Sequence, residues 1–262
     1  MTLKLCVLAS GSSGNCTFIG TEKTRILIDA GLSARKTAER LADIGERVED
    51  IDAICVSHEH GDHIAGIRVL QKTYGMPVYA NGVTRDAILR DSKQAGLKWC
   101  QFTTGFPFPI GDFSVHPFSV PHDADDPVGF IFSAGSLKVG VATDIGKVTN
   151  VLRERLRKCH AVVIEANHDE ELLEASTRPW SLKQRISGNR GHLSNRAAAA
   201  LMAEIAGDGL QHLFLAHLSS DCNSPHHART TFETVLAEAG HTHVTVRLTG
   251  AECVSEQLIL EG

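Results

Sequence analysis

The feature that most constrains this chain is a run of six residues, His58-Glu59-His60-Gly61-Asp62-His63, in which four side chains can ligate a metal. The run follows residues 52–57, an apolar stretch that reads as a buried strand, and leads into residues 62–73, which read as a helix. His58 and His60 stand two apart on extended chain and so point the same way. Asp62 and His63 then fall in the first helical turn, where a carboxylate also suits the helix N-terminus. Four nitrogen and oxygen ligands from so short a loop exceed what one metal usually takes, which points to two adjacent divalent ions. A zincin H-E-x-x-H helix is excluded, because its histidines stand four apart, not two.

The loop lacks a bridging ligand and further imidazoles. Three candidates sit at the ends of strand-like runs: Asp144 after residues 137–142, His122 in Val-Pro-His-Asp, and His217 after residues 213–216. Strand ends are where α/β sheets place functional groups. An isolated His or Asp there is more often a cap or a surface residue. Only the conjunction with the six-residue loop turns the three into ligand candidates.

With 262 residues, no linker, no charge block and no repeat, the chain is expected to form a single domain, 1–262. Strands are expected at 4–9, 16–19, 25–29 and 52–57, then at 113–120, 129–133, 137–142, 161–165 and 213–216, with a hairpin turn at 134–136. Helices are expected at 32–44, 62–73, 148–158, 194–206 and 226–239, the first with Ala38, Leu41, Ala42 and Ile44 as its apolar face. Two mixed halves around a strand-rich middle make a layered α/β sandwich. The net charge of −5 excludes a protein that coats nucleic acid by charge alone, so any such contact needs a local patch. Seven cysteines, an odd number without a C-x-x-C pair, read as free thiols of a reducing compartment. No segment reads as a signal h-region or a membrane span, and the expectation is a cytoplasmic protein without a membrane partner.

Beyond the ligand order, eight motifs in sequence carry a family resemblance: 9–15 (Ala-Ser-Gly-Ser-Ser-Gly-Asn), 119–124, 127–130, 143–146 (Thr-Asp-Ile-Gly), 165–169 (Glu-Ala-Asn-His-Asp), 182–186, 191–195 (Gly-His-Leu-Ser-Asn) and 215–219. The chain resembles the metallo-β-lactamase superfamily and, within it, the YycJ (WalJ) branch, over residues 3 to about 255. The resemblance implies an αβ/βα four-layer sandwich with a two-metal site at its edge. It implies His58, His60 and His122 on one ion, Asp62, His63 and His217 on the other, and Asp144 bridging. His192 matches the family's histidine that holds no metal and gives a proton to the leaving group. The branch further implies 5′ to 3′ exonuclease action on DNA, in repair. Arg178-Pro-Trp180 and Cys222-Asn223 depart from the branch pattern.

Two cations about 3.5 to 4 Å apart would bring a bridging water's pKa toward neutrality and stabilise charge building on a phosphate. Asp62 could then take that water's second proton, and His192 could act as acid. Glu165 and His168 are candidates to orient ligands from behind, with a plain solvent-facing role the alternative for His168. Imidazole and carboxylate suit zinc, manganese and iron alike, with zinc or manganese expected.

The stretch 178–196 carries Arg178, Lys183, Arg185, Arg190 and Arg196 and no acid, next to His192, which favours a phosphodiester substrate. Lys183 and Arg185 are the substrate-binding candidates there, and Ser12 and Asn15 in the Gly/Ser turn 10–15 could offer donors to a phosphate. With 2 Trp and 2 Tyr an extended base-stacking platform is not expected, so nucleic acid, DNA first, would be gripped by its backbone. A β-lactamase would normally be exported. A small-molecule phosphodiesterase or a glyoxalase-type thioester hydrolase shares the ligands and stays open, whereas a diiron redox protein would carry Glu in place of His60. A binding module that does not cut has no use for the spare His192.

Overall fold

Several of these strands are apolar without alternation, the mark of strands covered on both faces. The computed structural model, which describes residues 1–91, 94 and 96–262, shows what covers them. Among the described residues the strands are β1 (Thr2–Ala9), β2 (Cys16–Gly20), β3 (Arg25–Ile28), β4 (Ala53–Cys55), β5 (Val78–Asn81), β6 (Trp99–Phe102) and β7 (Phe108–Ile110). They continue with β8 (Phe113–Ser119), β9 (Val128–Ala134), β10 (Leu137–Ala142), β11 (Ala161–Glu165), β12 (His212–Ala216), β13 (Thr245–Leu248) and β14 (Leu258–Glu261). They form two seven-stranded sheets, ordered β14-β1-β2-β3-β4-β5-β6 and β13-β12-β11-β10-β9-β8-β7.

Each sheet passes from an antiparallel meander to a parallel half, the change falling between β2 and β4 in one and between β9 and β11 in the other. Alternation survives as a choice between two apolar environments. Leu3, Leu5 and Val7 of β1 and Val139, Val141 and Val163 of β10 and β11 pack between the sheets, together with Phe130, Phe132 and Phe214. Their neighbours Cys6, Leu8 and Leu27 face the helices α1 (Ala34–Asp43), α3 (Ile67–Tyr74) and α4 (Gly82–Leu89). On the other side Val162, Ile164, Leu213 and Leu215 face α5 (Asn150–Leu156), α8 (Asn195–Ile205) and α9 (Pro225–Glu238). The result is the expected αβ/βα order of four layers. No described helix is long and apolar enough to cross a membrane.

Two expected helices differ in detail. The segment 62–73 is broken into α2 (Gly61–Ile64) and α3, because Gly66 lies against the carbonyl of Leu32, where a Cβ would stand 2.1 Å from the oxygen. In α1 the buried face is Ala34, Thr37, Arg40 and Leu41, and Ala42 is exposed. Arg40 is buried because its guanidinium donates to the carbonyls of Leu8 and Ala251. The short elements β5, β6, β7, β13, β14, α4, α6 (Glu170–Ala175) and α7 (Trp180–Ile186) were not expected from periodicity, which needs longer runs to register.

The two halves of the first sheet's ligand edge touch at Gly31. Its amide donates to the Asn15 carbonyl at 2.9 Å, and a Cβ there would sit 1.7 Å from the carbonyl oxygen of Asp62. Gly31→Ala is therefore expected to cost at least about 1–3 kcal/mol through overpacking against backbone that cannot yield. Gly45→Ala, whose Cβ meets open space at φ +74, should cost only the left-handed strain, about 1–2 kcal/mol. Urea unfolding of the two variants checks the order, and equal costs would contradict the close approach.

Candidate metal centre

All the ligand candidates leave strands on one edge of the sandwich. β4 runs into the loop 57–63, β8 into His122, β10 into Asp144 and β12 into His217, while Glu165 ends β11. Among the described residues four non-glycines have left-handed φ, and three are here: Asp29 at 60°, Asp144 at 57° and His217 at 57°. Such backbone is held only where the surroundings over-determine it, and it clusters at functional sites.

Among the described residues three trios of side chains converge; two share no member, and the third, His58, His63 and Asp144, links them. His58, His60 and His122 bring their ligating atoms within 4.8 Å of one another, and so do Asp62, His63 and His217. In the first set His58 Nε2 and His60 Nδ1 meet at 3.1 Å. His58 Nδ1 lies 2.9 Å from Ser57 Oγ, and His122 Nδ1 donates to the Gly191 carbonyl at 3.1 Å, which turns its Nε2 inward. In the second set His63 Nδ1 meets Asp29 Oδ2 at 2.8 Å and His217 Nδ1 meets Glu165 Oε1 at 3.0 Å. Asp144 stands between the sets, 3.3 Å from His63 Nε2 by Oδ2 and 3.7 Å from His122 Nε2 by Oδ1.

The donor set fits divalent cations. Among the described residues His217 Nε2 and Asp144 Oδ2 are buried without a hydrogen-bond partner, although both are candidate ligand atoms. Burial disfavours charge on His63, yet Asp29 and Asp144 outweigh it and hold this imidazole well above its usual range. Burial likewise opposes charge on His217, but Asp144, Asp62 and Glu165 push it up to about 10. His58, which burial and the neighbouring His63 act on together, is held low. The carboxylates thus demand positive charge from whatever occupies the centre, and a bound cation would displace these protons. A further grouping, Asp144, Glu165, His192 and His217, is also close enough for a metal. There both imidazoles already direct Nδ1 at Glu165 Oε1, His192 at 2.7 Å, so hydrogen bonds account for it.

The other candidates are sorted by the structure. His192 and Asp62 line a cleft of about 300 Å³ together with the candidate ligands His60, His122, Asp144 and His217, and Ser12, Arg178, Arg185 and Arg190 line it too. Arg185 is paired with Asp123 at 2.8 Å and Arg178 with Asp221 at 2.7 Å. Two expectations need correction. Asn15 is buried, and its amide is engaged with Asp62 Oδ2 and His63 Nε2, so it lies behind the ligands and not in the cleft. Lys183 turns its ammonium to the Glu174 carbonyl, because on α7 it projects away from the face formed by Leu182, Arg185 and Ile186. Arg196 lines a separate groove beside α9. His168 is 2 % exposed, against a solvent-facing role, and its Nδ1 has no hydrogen-bond partner among the described residues.

Asp29 and Ser57 were missed. Asp29 takes Ser57 N at 2.7 Å and Ser57 Oγ at 2.8 Å while it holds His63. The strand-end reasoning that found Asp144 applies equally to Asp29 after the run 25–28 and would have found it. Glu165, expected to orient ligands, accepts from the amides of Ile145 and Leu193 with its second oxygen.

Comparison with known proteins agrees with this architecture. Residues 24–217 match the family model described as "Beta-lactamase superfamily domain". The chain is 39% identical to Exodeoxyribonuclease YycJ of Bacillus anthracis, over 92% of this chain and 91% of that protein. It is also 39% identical to Exodeoxyribonuclease WalJ of Streptococcus pneumoniae serotype 2, over 90% and 89%. Among solved structures, the metallo-beta-lactamase fold protein YhfI from Bacillus subtilis superposes with a TM-score of 0.74 at 18% identity, covering 100% of this chain and 99% of that one. Zn(2+)-bound PqqB from Methylobacterium extorquens does so with 0.70 at 15%, covering 99% and 100%. With the ligand order, the two facing sheets and the family match in agreement, the chain belongs to the metallo-β-lactamase superfamily and is similar to its YycJ and WalJ members over nearly its whole length.

Proposed function

We propose that this protein is a dinuclear metal-dependent phosphodiesterase, acting as a 5′ to 3′ exonuclease on DNA, with zinc or manganese as the divalent ions. The observation that carries the reading is Asp144 buried between two three-residue ligand sets that open on a cleft with three arginines. Nuclease action and DNA as substrate are supported by the names of the YycJ and WalJ relatives at 39% identity. Free thiols throughout support a cytoplasmic setting.

Bound in the two sets, divalent cations would supply an acidified water and Lewis-acid stabilisation of the phosphoryl oxygens. The chain's own groups do the rest. Glu165 fixes the His192 ring by Nδ1, and although burial opposes its charge, Glu165 and Asp144 outweigh burial and hold His192 above its ordinary value. His192 therefore keeps a proton to give to the leaving alkoxide at the cleft. Asp62, partly open to the cleft and held ionised by His217 and His63 against the effect of burial, can accept a proton from the attacking water. Arg190, which makes no ion pair among the described residues, and Arg185 are placed to meet phosphates, as is the exposed Ser12 turn.

Incubation of metal-loaded protein with 5′- and 3′-labelled DNA and RNA tests the whole reading, which expects DNA to shorten from its 5′ end. Shortening of neither polymer while a thioester or a small phosphodiester is cleaved would overturn it. His192→Ala should retain its metal and its DNA affinity and lose about 10² to 10⁴ in rate. Loss of an ion on that change, by elemental analysis, would make His192 a ligand. Arg190→Ala should weaken DNA binding across sequences and flatten its salt dependence by about one unit of slope, with metal content unchanged. Asp144→Ala should lose activity together with most of one ion, and full retention of both ions would refute the bridging role.

A further inference from the structure

Beyond the exposed Ser12, proposed above to meet phosphate, the N-terminal turn buries Ser10 and Asn15 against both sides of one ligand set. Asn15, 6 % exposed, donates its amide N–H to Asp62 Oδ2 at 3.1 Å and to the Gly11 carbonyl at 3.2 Å, and the same nitrogen lies 3.0 Å from His63 Nε2. Its backbone N–H donates to the Asp62 carbonyl at 2.7 Å, and its Oδ1 accepts from Gly11 N at 2.9 Å. Five residues earlier, Ser10 Oγ accepts the backbone N–H of His217 at 2.7 Å. Asp62 and His63 follow β4 of the first sheet and His217 follows β12 of the second, so residues 10–15 join the two sheets' ligand segments.

We infer that this turn is a clasp for one cation subsite: Asn15 positions Asp62 and His63, Ser10 positions His217, and occupancy of the subsite they form depends on both. The hydrogen-bond count supports it. The Asn15 amide has two protons and three neighbours, and one of those, His63 Nε2, is an atom a cation would take up. The two oxygens that remain, on Asp62 and Gly11, match the two protons. Ser10 acts on the backbone amide of a residue held at φ +57, where an unsupported histidine would relax and carry its ring out of place. Among the described residues His58, His60 and His122 make no hydrogen bond with Ser10 or Asn15, so the clasp distinguishes the two subsites.

The inference rests on the two-ion reading, and one measurement separates their fates. Full-length protein loaded with zinc is dialysed against a series of buffered free-zinc concentrations, and zinc per chain is read by elemental analysis. Asn15→Ala and Ser10→Ala should each release one equivalent at free zinc about 10- to 100-fold higher than the wild type, the cost typical of losing a partner behind a metal ligand, while the other equivalent leaves where the wild type's does. Ser10→Thr, which keeps the hydroxyl, should restore retention, and Ser13→Ala, on the exposed part of the same turn, should match the wild type. Equal weakening of both equivalents, or none, overturns the clasp alone. A wild type that never holds two equivalents overturns the two-ion reading and the clasp together.

Discussion

The rest of the structure depends on one arrangement, a buried carboxylate, Asp144, surrounded by imidazoles from both sheets. Its Oδ1 lies 3.5 Å from His217 Nδ1 and 3.7 Å from His122 Nε2, and its Oδ2 lies 3.3 Å from His63 Nε2. A carboxylate so deep is tolerated only with compensating positive charge. That requirement explains why the segments that follow strands β4, β8, β10 and β12 bring His58, His122, Asp144 and His217 to the same edge, and why Asp144 and His217 accept left-handed backbone to do so.

Both sheets use the same device to aim a ligand. In the first, Asp29 receives His63 Nδ1 while Ser57 links Asp29 to His58. In the second, Glu165 receives His217 Nδ1 and His192 Nδ1 on a single oxygen. Fixing one ring nitrogen by a carboxylate fixes the other toward the centre, which sets tautomer and direction together. Because Glu165 serves a ligand candidate and the proposed acid at once, a change in one should be felt by the other, and metal content alone would misreport the effect of a substitution at Glu165.

The layered fold was legible because the signals were local. Runs such as 137–142 and 161–165 are apolar on both faces, and they proved to be central strands of the second sheet. The convergence of the candidate ligands was legible because six adjacent residues carried four donors, and His122, Asp144 and His217 followed strand runs. What sequence could not convey was contact between distant segments. Asn15 looked like a turn residue open to substrate, and only the approach of residues 15, 31 and 62 shows it turned inward. Arg178, Lys183, Arg185, Arg190 and Arg196 formed one basic stretch in sequence, but α7 turns Arg185 to the cleft and Lys183 away from it, Arg178 and Arg190 reach the cleft from either side of α7 in sequence, and Arg196 lies on α8 in a separate groove. The helix break at Gly66 depended on a carbonyl thirty-odd residues away, which no periodicity records.

The central proposal is that Asp144 would be shared by two cations. Anomalous diffraction from crystals of zinc-loaded protein tests it most directly. The account predicts two peaks, one against His58, His60 and His122 and one against Asp62, His63 and His217, with the Asp144 carboxylate touching both. A single peak, or two peaks with Asp144 bound to only one of them, would contradict it.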